Sequence, residues 1–383
     1  MKPIGVYIHL PFCAQRCFYC DFLTFPHAES LHEPYLSHIL QEITEDAVRR
    51  GLRGRHCDSV FFGGGTPSLF PPSAIRQLLE QLRSVLSLTA DCEITLEGNP
   101  ATLNEKKAAA YRAAGVNRLS LGVQSFSDGL LRTCGRDHTA QCAKQDVRIL
   151  QAAGFTNLSL DLIYGIPGQQ PSDIEEDLRC IAELEPQHIS WYALIVEPRT
   201  IFFEKEKQET LRFPNEEALD ALERRARCGL AKLGYMRYEI SNFAKEGYAS
   251  RHNVKYWTAA PYWGLGLGAA SYLDGVRSEN VRTFSDYFAR VDAGKPAWNV
   301  IPRTDEEDAF EFVMMGLRLV RGIDRHAFAK RYGYDLCERA APIFEAHRKR
   351  GNLVWSETRV RLTEQGLAFQ NTFLVDLLEC FSS

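Results

Sequence analysis

Gly5-Val6-Tyr7-Ile8-His9-Leu10-Pro11-Phe12-Cys13-Ala14-Gln15-Arg16-Cys17-Phe18-Tyr19-Cys20 sets a short apolar run directly before three cysteines in a C-x3-C-x2-C spacing. The run reads as a β-strand, so the cysteines sit just past its C-terminal end. The same theme of apolar run, Gly- or Pro-containing turn and helical period repeats to about Ile240. Further runs are Ser59–Phe62, Glu93–Leu96, Arg118–Val123, Asn157–Ile163 and His188–Val196. Helical periods fall at Tyr35–Arg49, Ser73–Leu86, Glu105–Ala114, Ala140–Ala153, Ser172–Leu184 and Glu216–Leu233. Six βα units imply a parallel sheet covered by helices, as an open doubly wound sheet or a full or partial (βα) barrel.

Polar and glycine residues recur just after each run. Gly63-Gly64-Gly65-Thr66-Pro67 follows the second, Glu97 and Asn99 the third, Gln124 and Ser125 the fourth, and Tyr164-Gly165-Ile166-Pro167-Gly168 the fifth. In a parallel barrel these positions share one rim with the cysteines, at the strand ends where such folds build active sites.

After Ile240 the rhythm breaks. Residues 1–240 read as the βα unit, and 241–300, rich in Gly and aromatic residues, as a loop-rich extension of loops and short strands over its open side. Residues 301–383 read as a small α+β domain of winged-helix-like order, with strands near Leu353–Trp355 and Val360–Thr363. That last segment carries 12 Lys/Arg against 13 Asp/Glu, which leaves no phosphate-neutralising stripe and excludes the DNA-binding reading of a winged helix. The whole chain of 383 residues has 45 Lys+Arg against 49 Asp+Glu, a net charge of −4, so no basic surface directs it to nucleic acid or anionic membrane. No apolar stretch approaches the roughly 20 residues of a membrane span, and the N-terminus lacks a signal-peptide pattern. A cytoplasmic protein with reduced thiols is expected.

Eleven cysteines are spread over this length, and only three are clustered. The isolated eight are expected to be buried apolar residues. Three thiolates on one loop are one short of a closed structural zinc site or of the usual four-cysteine iron–sulfur cluster, and so leave an open iron position. Two other readings stay open at the level of spacing: a zinc ion completed by His9, Asp21 or His27, and a redox pair of Cys17 and Cys20. The place of the loop at a strand end favours the cluster.

Tyr7-Ile8-His9-Leu10-Pro11-Phe12-Cys13, with Cys17 and Tyr19-Cys20-Asp21-Phe22, resembles the radical S-adenosylmethionine (SAM) enzymes, and within them the oxygen-independent coproporphyrinogen III oxidase family. The resemblance continues through Gly63–Ser68, Arg118–Phe126, Asp161–Gly168, Tyr238–Ala244 and His252-Asn253-x-x-Tyr256-Trp257, nearly the whole chain. It implies a partial (βα)6 barrel and a [4Fe-4S] cluster on Cys13, Cys17 and Cys20. The amino and carboxylate groups of SAM would then occupy the fourth iron, and an electron donor of the flavodoxin or ferredoxin kind would serve the cluster. It also implies SAM contacts from Tyr7, Tyr19, Gly64, Gly65, Thr66, Glu97, Gln124, Arg136 and Asp161. Their chemistry suits such a ligand, since glycines admit close backbone approach, carboxylates take an ammonium or ribose hydroxyls, and Gln124 and Arg136 can bind a carboxylate.

Two features point to one branch. The porphyrinogen-oxidising branch carries a further cysteine two positions after the third cluster ligand, where this chain has Phe22, and it has a longer N-terminal lead. The His252-Asn253-Val254-Lys255-Tyr256-Trp257 segment is similar to the signature of the haem-chaperone branch, of HemW type. This implies haem as a bound group, His252 as its candidate ligand, and an acceptor protein for the haem, respiratory haem enzymes among the candidates. SAM would then support haem transfer or cluster-dependent assembly. Ala270 stands where many family members carry histidine. Oxidative decarboxylation of two propionates to vinyl groups is the enzymatic alternative, and a zinc-stabilised interaction protein is the third.

Overall fold

The computed structural model describes residues 2–381. All six expected strands form, as Ile4–Leu10, His56–Gly64, Ser87–Gly98, Arg118–Gln124, Leu158–Tyr164 and His188–Ala193, each parallel to the next. The helices between them sit within a few residues of the periods read from the chain, for example Pro72–Val85 and Pro171–Leu184. Local chemistry sets their ends. Asn104 accepts from the Lys107 amide at 2.9 Å to start the Glu105–Ala114 helix, and Gly115, at φ 110°, ends it in a left-handed conformation. Gln170 and Asp173 form a capping box around Pro171.

The parallel strands are buried on both faces, which is why they read as continuous apolar runs. Outward residues such as Ile4, Val6 and Ile8 meet the helix faces, including Ile75, Leu78, Leu79 and Leu82. Inward positions are polar or aromatic: Gly5, Tyr7 and His9 on the first strand, Ser59, Phe61 and Gly63 on the second.

Residues 241–300, expected as loops and short strands, extend the sheet itself. Tyr262–Leu265 adds a seventh parallel strand beside Ile4–Leu10, and Ala270–Leu273, Val276–Asn280 and Trp298–Val300 continue the sheet antiparallel. Beyond His188–Ala193, the strands Asn242–Ala244 and Met236–Arg237 extend the other edge. These strands have two to five residues each, too short for a period-2 pattern to stand out among glycines and aromatics. The two ends of the twelve-stranded sheet formed among the described residues do not pair, so the barrel is open.

The C-terminal part has its own core around Val313, Phe328, Phe344, Val360 and Phe373. Helices Asp305–Gly316, Arg325–Tyr332, Ala341–Lys349 and Gln370–Leu378 surround a three-stranded sheet whose hairpin is Leu353–Trp355 and Arg359–Leu362. It joins the barrel through buried Glu239, which pairs with Arg318 at 3.3 Å, and through Tyr272, whose hydroxyl donates to Asp308 at 3.0 Å. No helix among the described residues is long and apolar enough to cross a membrane.

Candidate functional site

The cysteine loop is pinned at both ends of its turn. The Phe18 amide donates to the Cys134 carbonyl at 3.0 Å, Gln15 Nε2 donates to the Gly135 carbonyl at 3.0 Å, and Phe18 and Tyr19 pack on a small core around Phe202. Below it, the Gly65 and Thr66 amides donate to the Leu10 and Phe12 carbonyls at 2.9 and 2.7 Å. A Cβ on Gly65 would lie 2.6 Å from the Phe12 carbonyl oxygen, so no larger residue fits between the second strand and the loop. Gly64 takes φ 115°, with the His9 ring where a side chain would go.

These constraints open a cavity of about 370 Å³ at the C-terminal ends of the strands. Cys13, Cys17, Cys20, Tyr19, Gly64, Gly65, Glu97, Gln124, Arg136 and Asp161 all line it. Thr66 and Tyr7 stand just behind. Thr66 Oγ1 donates to Cys13 Sγ at 3.6 Å, and Tyr7 OH lies 2.9 Å from His9 Nδ1. Because His9 Nε2 faces the Leu23 carbonyl at 2.9 Å and must donate there, Tyr7 is the donor to Nδ1.

Arg136 ties the site together. Its guanidinium donates to Cys17 Sγ at 3.2 Å, to Asn99 Oδ1 at 2.8 Å and to the Gly122 carbonyl at 2.7 Å, while its Nε stays buried without a partner. Gln124 is held at φ 67° by a bulge between Gly122 and Gln124, a strained backbone that aims a polar side chain into the cavity. Asp161 accepts from Ser120 and Ser159 at 2.9–3.2 Å.

Burial raises the acids. Glu97 is pushed up to about 8, by burial first and then by the Asp161 carboxylate, against the Gly64 amide that donates to it at 3.2 Å. Asp161 is raised by burial as well. The thiols of Cys13 and Cys20 are also raised by burial, Cys20 to about 11, so metal loading must displace their protons.

The residues of this cavity suit the cluster and SAM that the sequence implies. Among the described residues no three His, Cys, Asp or Glu side chains are grouped to hold a single metal ion. The thiols instead ring one cavity, as a cluster with its irons spread apart requires, and His9 is turned away to Leu23. A ready-made zinc site with His9, Asp21 or His27 is not assembled. The cavity also offers Arg16 and Arg136, the carboxylates of Asp21, Glu97, Asp161 and Glu197, and a wall containing Gly64 and Gly65. Its outer rim is apolar: Phe22 is 64% exposed and Ile195 66%.

His252 lies elsewhere. The Arg251–Trp257 helix is bolted to the opposite, N-terminal ends of the strands. Its first amides donate to Glu93 at 3.2 Å, Arg251 pairs with Asp91 at 2.7 Å, and Lys255 pairs with Asp58 at 2.7 Å. The His252 ring plugs the barrel bottom, fully buried and stacked on Phe61. Its Nδ1 is 3.1 Å from Ser59 Oγ and its Nε2 is 2.8 Å from Tyr256 OH. Burial, then Lys255 and Arg118, lower its pKa to about 3, so the ring is neutral. As arranged, neither nitrogen is free for an iron, and the structure does not bring His252 to the cysteine cavity.

Reading the sequence missed Ser120, Gly122 and Tyr192, which also line the cavity. The i, i+2, i+4 series Ser120, Gly122, Gln124 was the available signal. The isolated cysteines also differ from expectation. Cys57, Cys92, Cys134 and Cys180 are buried, but Cys142, Cys337 and Cys380 are half-buried and Cys228 is exposed on the Glu216–Lys232 helix, whose apolar stripe runs through Leu222, Ala226 and Leu230.

An open parallel barrel with three thiols on the loop after its first strand defines the class, and residues 7–181 match the radical SAM superfamily. Residues 304–369 match the HemN C-terminal domain. The chain is 35% identical over 381 residues to heme chaperone HemW of Escherichia coli (strain K12), covering 98% of each. It is 34% identical over 369 residues to heme chaperone HemW of Bacillus subtilis (strain 168), covering 96% of this chain and 97% of the relative. It is also 32% identical over 389 residues to the bovine mitochondrial radical S-adenosyl methionine domain-containing protein 1, covering 98% and 87%. The chain belongs to the HemW family. Its fold superposes on the solved coproporphyrinogen III oxidase (HemN) of Escherichia coli with a TM-score of 0.84 over 100% of this chain and 90% of that one, at 24% identity.

Proposed function

We propose that this protein is a haem chaperone of the radical SAM type, which binds a [4Fe-4S] cluster, SAM and haem and passes the haem to an acceptor protein. The observation that carries the reading is full-length identity of 35% to a relative named a heme chaperone. Cys13, Cys17 and Cys20 would hold the cluster, which would supply one electron to bound SAM. Arg136 keeps the Cys17 sulfur and Asn99 in register. Arg136 and Gln124 take the SAM carboxylate, Glu97 the ammonium, and Asp161 the ribose hydroxyls, with Gly64, Gly65 and Thr66 forming the wall and Tyr7 and Tyr19 flanking the cluster.

In this reading His252 bears on haem through Tyr256, whose hydroxyl it holds at 2.8 Å. The acceptor belongs among respiratory haem enzymes, the electron donor is of the flavodoxin or ferredoxin kind, and the protein works in the cytoplasm. A net charge of −4 and the absence of a cationic stripe leave nucleic acid out. Phe22 in place of a further cysteine separates the reading from porphyrinogen oxidation.

The deciding experiment measures cluster, SAM and haem stoichiometry on one anaerobically reconstituted preparation, followed by incubation with SAM, reductant and coproporphyrinogen. Bound haem without vinyl product is expected. Vinyl product would overturn the chaperone reading in favour of oxidative decarboxylation.

A further inference from the structure

Beneath the cysteine cavity the barrel interior is polar. Ser120 pairs in register with Ser159 and Ser159 with His188, while Gly122 pairs with Asp161 and Asp161 with Ser190, so the side chains of these three adjacent strands share the inward face. His188 is fully buried there and lies outside every segment that carries the family resemblance. Its Nδ1 is 2.7 Å from Ser159 Oγ, and its Nε2 is 2.9 Å from the hydroxyl of Tyr238, which the Ser250 amide meets at 3.3 Å at the barrel bottom. Ser159 Oγ in turn lies 3.2 Å from Asp161 Oδ1, with Ser190 Oγ farther off at 3.5 Å.

The two ends of this chain fix the direction of every hydrogen in it. The Ser250 amide can only donate, so the Tyr238 oxygen accepts there. An ionised carboxylate can only accept, so Ser159 donates its one hydrogen to Asp161. Ser159 must then accept from His188, which carries its proton on Nδ1, and the bare Nε2 accepts from Tyr238. Burial, then the charge of Arg118, lower His188 well below the ordinary imidazole range, so the ring has a single proton to place. The opposite direction would need a protonated Asp161. It would also leave the Tyr238 hydroxyl hydrogen without an acceptor among the described residues while two donors met its oxygen. The surroundings favour an ionised Asp161. Burial raises it and the neighbouring Glu97 carboxylate opposes its charge, but Ser120 donates to both its oxygens at 2.9–3.0 Å, and Arg118, whose Nε is buried without a partner, lies close enough to act on it. Aligned hydrogen bonds in a low-dielectric interior strengthen one another.

We propose that Tyr238, His188 and Ser159 are positioning residues for Asp161, a one-way chain of hydrogen bonds from the barrel bottom that holds this carboxylate oriented and free of a proton, ready to accept from the ribose hydroxyls of SAM. The proposal rests on the assignment of Asp161 to that ribose and extends it to three residues that touch no ligand themselves. No proton is transferred, since each hydrogen stays on its own heavy atom.

The test has two parts, both on anaerobically reconstituted full-length protein. Nitrogen NMR of ring-labelled histidine, with His188 assigned by the signal lost in His188→Asn, is expected to find the proton on Nδ1. Equilibrium binding then compares SAM with its analogue lacking both ribose hydroxyls, in wild type and in His188→Leu, His188→Asn and Tyr238→Phe, with circular dichroism as the folding control. His188→Leu is expected to bind SAM about tenfold more weakly, the effect of one lost hydrogen bond behind a charged acceptor. Its affinity for the analogue stays at the wild-type value. His188→Asn, whose side-chain amide can place an N–H near the former Nδ1–H, restores SAM binding, and Tyr238→Phe falls between the leucine variant and wild type. A proton on Nε2 in the wild type overturns the proposal. So does a loss in His188→Leu that is equal for SAM and analogue and is not rescued by asparagine, which would make His188 a packing residue only. Wild-type SAM affinity in Tyr238→Phe, which removes one oxygen and keeps the ring, overturns it whether or not the leucine variant folds. Each of these outcomes leaves the ribose assignment standing, whereas wild-type protein that binds the analogue as tightly as SAM overturns that assignment and the proposal with it.

Discussion

Two cavities of the molecule are made in opposite ways. The cysteine cavity is assembled from strand ends that lie next to one another in a sheet, so each contributing residue is fixed by its own strand and the turn after it. The second is assembled between the barrel bottom and the C-terminal domain, from residues 256–277 and 303–315, which meet only through tertiary packing. The first is closed by backbone contacts, such as Gly65 against Phe12. The second is closed by ion pairs and aromatic edges, which can exchange partners.

Removing one thiol should separate the two regions most sharply. Cys17→Ala is expected to reduce cluster absorbance after anaerobic reconstitution to background and to release Arg136 from its sulfur partner, with haem binding retained. Loss of both together would mean that haem sits at the cluster end. A smaller effect is expected from Gly65→Ala. Its Cβ meets backbone, which cannot rotate away, so denaturant unfolding should show a loss of about 1–3 kcal/mol, with SAM affinity reduced and the haem spectrum intact. Wild-type SAM affinity in that variant would show that the close approach is not needed.

How much of this is legible in the chain follows from the same contrast. Strands such as Arg118–Gln124 are buried on both faces and followed at once by their polar residues, so a local reading finds strand, turn and site residue together. The helix Pro72–Val85 shows its buried stripe in the spacing of Ile75, Leu78, Leu79 and Leu82. Tyr262–Leu265 was not legible, because four residues among glycines carry no period and its place beside Ile4–Leu10 is a long-range pairing. Met315 and Phe312 read as ordinary apolar positions of a helix, and nothing local says that Tyr256 stands across from them. His252 was visible as a motif residue, but its burial between Ser59 and Tyr256 depends on strands nearly two hundred residues earlier.

The pH dependence of stability tells the two regions apart by sign. Glu97 titrates near 8 in the folded chain against an ordinary 4.5, so between those values the folded state holds a proton that the unfolded state has lost. Its contribution to stability is full below about 4.5 and is lost as pH rises toward 8. His252 is the reverse, near 3 against an ordinary 6.5: the unfolded state holds the extra proton, and stability falls as pH drops through that window. One fully displaced proton gives a slope of about 1.4 kcal/mol per pH unit. Glu97 borders a cavity that admits solvent, so its limb should be a fraction of that, whereas His252 is sealed and should come closer. Urea unfolding of the metal-free protein across pH 4–9 should therefore show a shallower alkaline decline in Glu97→Gln, with Glu42 and Asp177 carrying the rest, and a shallower acid decline in His252→Ala. An acid limb unchanged in His252→Ala would assign it to His9, His138 and His188, which are likewise buried and lowered, and would remove the distinctive pH signature of the barrel bottom.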